Sequence, residues 1–354
     1  MLTVRYHRAN GRCFLFSLVM LGLCLPSCSG DREGKDAAEA ERIARTLEAS
    51  FSDIIKRNDS LGRELKALYS DRSTAGAPST DLSTGAVVKH EYPGGRAYYE
   101  PNDDGGCSIF VSGEPPITED TVRVMCLIES AEQRLIEARA GLRCAGIVGI
   151  YTKESICLEY PWRDALELDP VGVDIHFLRS IFDVMDYPRH PDKSPAWGDP
   201  DAPMLELTLD GRLRLTLARA FPIYAGPRNE MDALAVINAD FTAMARDAIG
   251  KSETAVLLVS KNLALVGASG AAVDDLGLSL IEDKPLALAE YAFQCADLRN
   301  FGDSPASPDL AGIARGIESG SAFDCRVEGR SYRVHVARTK DPLIFVVALT
   351  RRRG

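Results

Sequence analysis

Residues 36–70 read DAAEAERIARTLEASFSDIIKRNDSLGRELKALYS, and the spacing of their apolar members decides the architecture. Ile43, Leu47, Phe51, Ile54, Leu61, Leu65 and Leu68 follow one another at intervals of four, four, three, seven, four and three. At 3.6 residues per turn those intervals put every one of them on a single stripe of a helix. The helix is about 50 Å long, ~35 residues at 1.5 Å each. Glu41, Arg45, Glu48, Lys56, Arg57 and Arg63 take the opposite side. One stripe on so long a helix suits a coiled-coil seam, through which two copies would pair as a homodimer. It suits packing along a large body equally well. A break rich in Ser, Thr, Gly and Pro over 73–85 ends the helix.

Upstream of the helix, Arg5, Arg8 and Arg12 precede an apolar run from Cys13 to Leu25, closed by Pro26-Ser27-Cys28. A charged start, a short apolar run and a small residue before the cut describe an export signal over 1–27. The run is too short to span a bilayer, which takes about 20 residues. Leu25-Pro26-Ser27-Cys28 resembles a bacterial lipobox, which implies lipidation of Cys28 as the mature N-terminus and a tether over 28–35. The expectation is an exported protein held by its lipid to the periplasmic face of a membrane, the outer membrane rather than the inner, or to the cell surface.

Removing the leader from the 354 residues leaves about 327, enough for two domains of ordinary size. With 45% hydrophobic and 26% charged residues the composition is that of a globular chain. The formal net charge is −10, and the leader carries three of the positive charges, so the remainder stands near −13. That balance excludes nucleic acid as a partner, because phosphate binding needs basic patches.

Of nine cysteines, Cys13, Cys24 and Cys28 belong to the leader and lipobox, and six remain. An oxidising compartment permits disulfides among them, with 15 pairings for six thiols. Cys295 and Cys325, both near the C-terminus, are the first candidates, and buried free thiols are the rival reading.

Along the body, 96–99 and 107–112 flank a Gly-containing turn and suggest a hairpin. Residues 118–143 read as one helix, 145–151 and 155–160 as strands, and 160–201 as a long irregular section enclosing a helix at 175–185. Strands at 204–209, 213–223 and 233–239 precede a helix at 241–249. Strands at 256–259 and 263–266, a helix at 285–293 and a three-strand meander over 322–349 complete the chain. Strands and helices alternate without a βαβ period, so the fold class is α+β with antiparallel sheets. The domains expected are the helix (36–75), a larger unit (76–250) and a smaller one (251–354).

Several stretches resemble, in order, a double Cache sensor region, the extracytoplasmic ligand-binding module of bacterial chemoreceptors and sensor kinases. They are Gly149-Ile150-Tyr151 with Tyr160-Pro161-Trp162, His190-Pro191-Asp192-Lys193 with Trp197, Ala220-Phe221-Pro222-Ile223-Tyr224, Ala235-Val236-Ile237-Asn238-Ala239-Asp240, and Val256-Leu257-Leu258-Val259-Ser260-Lys261-Asn262. The resemblance implies a long helix along two tandem PAS-like domains, the membrane-distal one (76–250) holding the ligand and the other (251–354) lying near the membrane. It places Trp197 and Asp240 at pocket positions. Tyr187, Arg189, Lys193 and Tyr224 would supply a carboxylate clamp and hydroxyl donors. The sequence departs from the family where Lys193 stands for an arginine and Gly198-Asp199-Pro200-Asp201 replaces a Tyr-x-Asp step. Trp197 as a core anchor and Asp240 as a helix N-cap are the structural alternatives.

Catalytic and metal motifs are missing. Five scattered histidines show no HExxH or paired spacing, Gly267-Ala268-Ser269-Gly270 lacks the GxSxG spacing of a nucleophile elbow, and no phosphate loop occurs. The sequence therefore points to a non-enzymatic lipoprotein, without cofactor or metal, that binds a small ligand of the amino-acid, amine or organic-acid class. With no second apolar span after the leader, its signal would pass to a membrane-bound partner. The rival is a structural or interaction lipoprotein with a degenerate Cache fold and no ligand.

Overall fold

The computed structural model describes residues 28–71, 88–92, 95–99, 106–112, 119–154, 156–161, 192–198, 204–207, 213–226, 230–278 and 310–352. Helix α1 (Cys28–Ser70) is one continuous element. Residues 28–35, expected as a tether, form its first two turns. Two antiparallel sheets pack along it.

The first sheet is built from β1 (Val88–Tyr92), β2 (Gly95–Tyr99), β3 (Ser108–Ser112), β4 (Ala145–Thr152), β5 (Ile156–Tyr160), β6 (Ala196–Trp197), β7 (Met204–Leu207), β8 (Leu213–Ile223) and β9 (Ala233–Asp240). Its order is β1-β2-β3-β5-β4-β9-β8-β6, with β7 also on β8. The hairpin expected at 96–112 is present as β2–β3, and β1 extends it by a further strand. Helices α2 (Glu119–Glu129) and α3 (Glu132–Arg139) replace the single helix read over 118–143. The break falls where the Ser130 hydroxyl donates back to the Leu127 carbonyl at 2.6 Å, a local bond that competes with the helical ladder. Helix α4 (Phe241–Ile249) follows β9 directly.

The second sheet has the order β11-β10-β14-β13-β12. Its strands are β10 (Ala255–Ser260), β11 (Leu265–Ala268), β12 (Ala322–Val327), β13 (Arg330–Arg338) and β14 (Ile344–Arg351). Two helices that the sequence reading missed, α5 (Gly270–Leu276) and α6 (Ala311–Ser319), belong to it. Ser269 caps α5: its hydroxyl accepts from the Ala272 and Val256 amides and donates to the Thr254 carbonyl. The 267–270 segment is therefore a strand end and helix cap, not a nucleophile elbow.

The stripe read from the sequence is the spine of the main core. Ile43, Leu47, Phe51, Ile54, Leu61 and Leu65 are buried together with Ala233, Ala235, Ile237 and Ala239 of the first sheet and Val256, Leu258, Val346 and Ala348 of the second. The seven-residue gap in the stripe is filled by Asn58, also buried. Gly62 lets the helix lie close against β8: a Cβ there would stand 2.1 Å from the Phe221 ring. At the other end Asp36 accepts from Thr254 Oγ1 at 2.8 Å and Thr350 Oγ1 at 2.6 Å, tying α1 to the second sheet. Among the described residues no helix is long and apolar enough to cross a membrane.

Candidate functional site

Period-2 alternation gives each sheet one face toward α1 and one away from it. On the second sheet the outer face is apolar. Leu257, Val259, Tyr332, Val334, Val347 and Leu349 form a closed core with Ala272, Leu276, Ile313, Ala314 and Ile317 of α5 and α6.

The outer face of the first sheet is different. Cross-strand register lines up Ser108, Glu159, Gly149, Val236, Ala220 and Ala196 in one row. Phe110, Cys157, Tyr151 and Leu234 form the next row, and Asn238 stands opposite Ala218 and Asp240 opposite Thr216. Small side chains at Gly149, Ala196, Ala218 and Ala220 make a low floor. Ser108, Glu159, Thr216, Asn238 and Asp240 add polar groups to it, and all five are buried.

Glu159 is only 2% exposed, and its Oε1 accepts from the Tyr151 hydroxyl at 3.0 Å. The glycine beside it leaves room for the ring. A Cβ at Gly149 would meet the Tyr151 ring at 3.2 Å, so the ring lies across the glycine to reach the carboxylate. A buried carboxylate costs free energy unless hydrogen bonds compensate it, and this sheet face retains one at its centre.

Lys193 and Tyr224 sit at the rim. Lys193 has φ +54°, a left-handed backbone that non-glycine residues seldom adopt, and its Nζ stands 4.5 Å from the centroid of the Tyr224 ring. Tyr224 and Ala196 pack against the outer-face apolar cluster. Asp232 closes the neighbouring β8–β9 hairpin, accepting from the Ala225 amide at 2.8 Å, the Gly226 amide at 2.9 Å and Lys153 Nζ at 3.1 Å. Burial works against its charged form. The two amides and the lysine together outweigh it and hold the carboxyl below its ordinary value.

The residues singled out from the sequence do not converge on one point. Lys193 and Tyr224 meet at the outer rim. Asp240 is in register on the outer face, but its Oδ1 accepts from the Ala243 amide at 2.8 Å and N-caps α4. Trp197 is on the α1 side, where its ring meets Phe51 edge-on at 5.3 Å and Phe51 in turn stacks with Phe241 at 6.4 Å. Tyr187, Arg189 and Cys295 lie outside the described residues. Cys325 is a half-buried thiol on β12, pushed up to about 11 by burial first and the Asp324 charge second. Cys28 opens α1. Glu159 and Asn238, which the sequence reading missed, are the polar centre of the outer face.

A separate cleft of about 190 Å³ lies between Ser50, Asp53 and Ile54 of α1 and the turn before β4. It contains Cys144, whose Sγ is 3.9 Å from Asp247 Oδ2. Burial, then the charges of Asp247 and Asp240, push that thiol up to about 11. It is protonated at neutral pH and a poor nucleophile. No group of three or more His, Cys, Asp or Glu placed to hold a metal ion occurs among the described residues.

No protein-family model matches this chain, and no curated protein does. Among solved structures it is similar to the periplasmic sensory domain of the Campylobacter jejuni chemoreceptor Tlp1, at 10% identity and a TM-score of 0.48, over 89% of this chain and 93% of that one. It is also similar to the sensory domain of the Campylobacter jejuni chemoreceptor Tlp3 with isoleucine bound, at 10% identity and a TM-score of 0.45, over 90% of this chain and 94% of that one. A third is the extracellular ligand-binding receptor from Desulfohalobium retbaense, at 9% identity and a TM-score of 0.40. The match covers 88% of this chain and spans only 39% of the receptor's own length.

Proposed function

We propose that this chain is a non-enzymatic, extracytoplasmic binding protein that holds a small polar ligand on the outer face of its first sheet. One observation carries the reading. Two sheets share a helix, and among the described residues the first buries Glu159, Asn238 and Thr216 over a floor of small residues on its outer face, where the second is packed with aliphatic side chains. A buried carboxylate and amide lower stability compared with well-packed apolar groups of the same volume, so a face that keeps them is built to recognise something. Polar groups arranged over a low floor suit a molecule of amino-acid, amine or organic-acid size. Lys193 and Tyr224 at the rim offer a cation and an aromatic face to it. The lipid at Cys28 and a membrane-bound signalling partner belong to the same proposal.

A second reading, a structural lipoprotein with no ligand, draws on Tyr151. Its ring lies over Gly149 and already fills part of the floor. A thermal-shift screen against amino acids, amines and organic acids separates the two. The binding reading expects at least one concentration-dependent shift that Glu159→Gln and Asn238→Ala abolish while both variants stay folded. A shift that survives both variants moves the site elsewhere. No shift from any compound supports the structural reading. Labelled palmitate incorporation tests the anchor, and a Cys28→Ser chain that still takes up label contradicts it.

A further inference from the structure

Arg219 stands on β8 between Ala218 and Ala220, the two alanines that floor the outer face. Its own side chain passes to the opposite side, between the sheet and α1. It is 5% exposed there, and its Nη2 reaches Asp59 Oδ1 at 3.4 Å. Its guanidinium carbon stands 5.9 Å from the centroid of the Trp197 ring, its cross-strand neighbour. A charge-assisted N–H···O bond closes at about 2.7–2.9 Å, so this ion pair is loosely made.

The atoms around it are incompletely used. Arg219 Nε and Trp197 Nε1 are buried donors with no hydrogen-bond partner among the described residues. Asn58, one residue before Asp59 on α1, is 0% exposed. Its Nδ2 donates to the Ala235 carbonyl at 3.0 Å, which fixes the amide's orientation and leaves Oδ1 a buried acceptor without a donor. Two unused donors and one unused acceptor therefore share the helix–sheet seam with a loose ion pair. A loose bond to Asp59 and an unused acceptor at Asn58 on the same helical turn give the buried guanidinium two candidate acceptors.

We propose that Arg219 is a two-position latch between the first sheet and α1. In one position Nη2 holds Asp59; in the other the guanidinium turns to Asn58 Oδ1, and Trp197 feels the change through its ring and N–H. Strand β8 carries Ala218, Arg219 and Ala220 as one unit, so pressure on the outer-face floor is delivered to the arginine on the far side. The proposal rests on the outer-face reading for what sets the latch, and on the seam alone for the latch itself.

The test is ¹⁵N relaxation dispersion at the Trp197 indole N–H in the full chain, with Trp162→Phe to assign the signal, since the chain has two tryptophans. The latch predicts microsecond-to-millisecond exchange at this indole. It also predicts that Asp59→Asn and Arg219→Met each abolish the exchange. Should Arg219→Met fail to fold, Asn58→Leu removes the second acceptor and is expected to flatten the profile in the same way. A flat profile in the wild-type chain overturns the latch even where the screen above finds a ligand. An exchanging indole that Arg219→Met silences upholds it even where the screen finds none. Exchange that persists in Arg219→Met overturns it as well.

Discussion

The outer faces of the two sheets were built by the same strand alternation and the same shared helix, yet they hold opposite chemistry. Among the described residues the second is apolar apart from the Tyr332 hydroxyl and is covered by α5 and α6, with Leu257, Val347 and Leu349 against Ile313 and Ile317. The first places Glu159, Asn238 and Asp240 where the second has aliphatic side chains. Buried polar residues on the second sheet are explained by architecture: Ser269 caps a helix, and Thr350 donates to Asp36. Asp240 on the first sheet is explained in the same way, by its cap on α4. Glu159 accepts from the Tyr151 hydroxyl at 3.0 Å, and Asn238 lies on the same face in register with Ala218. In the proposed reading, a face that serves only to close a core is aliphatic, and the buried polar groups of the first face serve recognition.

The largest effect is expected where the second outer face is cut. Leu257→Ala removes a fully buried side chain and is expected to cost about 2–5 kcal/mol, read by urea unfolding. Gly316→Ala comes next. A Cβ there would stand 2.0 Å from the Phe323 ring, and overpacking of that kind costs about 1–3 kcal/mol, read as a lower melting temperature. On the first outer face Glu159→Gln keeps shape and the bond from Tyr151. It is expected to change stability by less than about 1 kcal/mol while removing ligand binding. Should Glu159→Gln destabilise as much as Leu257→Ala, the polar face would be structural and the contrast would collapse.

The smallest effect is in acid. Asp232 has its folded-state carboxyl below the ordinary 3.8, so its stabilising contribution is complete above 3.8 and is lost as pH falls through the lower folded value. Asp232→Asn is expected to lose that contribution at neutral pH and to melt with a shallower acid dependence below pH 4.

The helix stripe from Ile43 to Leu68 was legible because a 3.6 period survives in one dimension. So were the three C-terminal strands, whose turns at 328–329 and 340–342 punctuate them. The start of α1 at Cys28 was not, because Ser29 and Gly30 are poor helix formers that a long helix carries along. Helices α5 and α6 are seven and nine residues long, too short for a periodic signal, and both depend on the second sheet for burial. In the candidate site, Lys193 and Tyr224 were within reach of sequence reasoning. Glu159 had a signal that went unused: a carboxylate directly after the apolar Ile156-Cys157-Leu158 run and within the same strand. Trp197 and Asp240 each combine a residue type suited to a pocket with a structural use. Only the register of β6 on β8 and the cap on α4 reveal which side each one faces.

Titration of the folded chain with the strongest compound from the screen, followed by calorimetry in parallel with Glu159→Gln, tests the central claim most directly. The outer-face site predicts one saturable binding event in the wild-type chain that Glu159→Gln weakens at least tenfold without loss of fold. Equal affinity in the two proteins would contradict it.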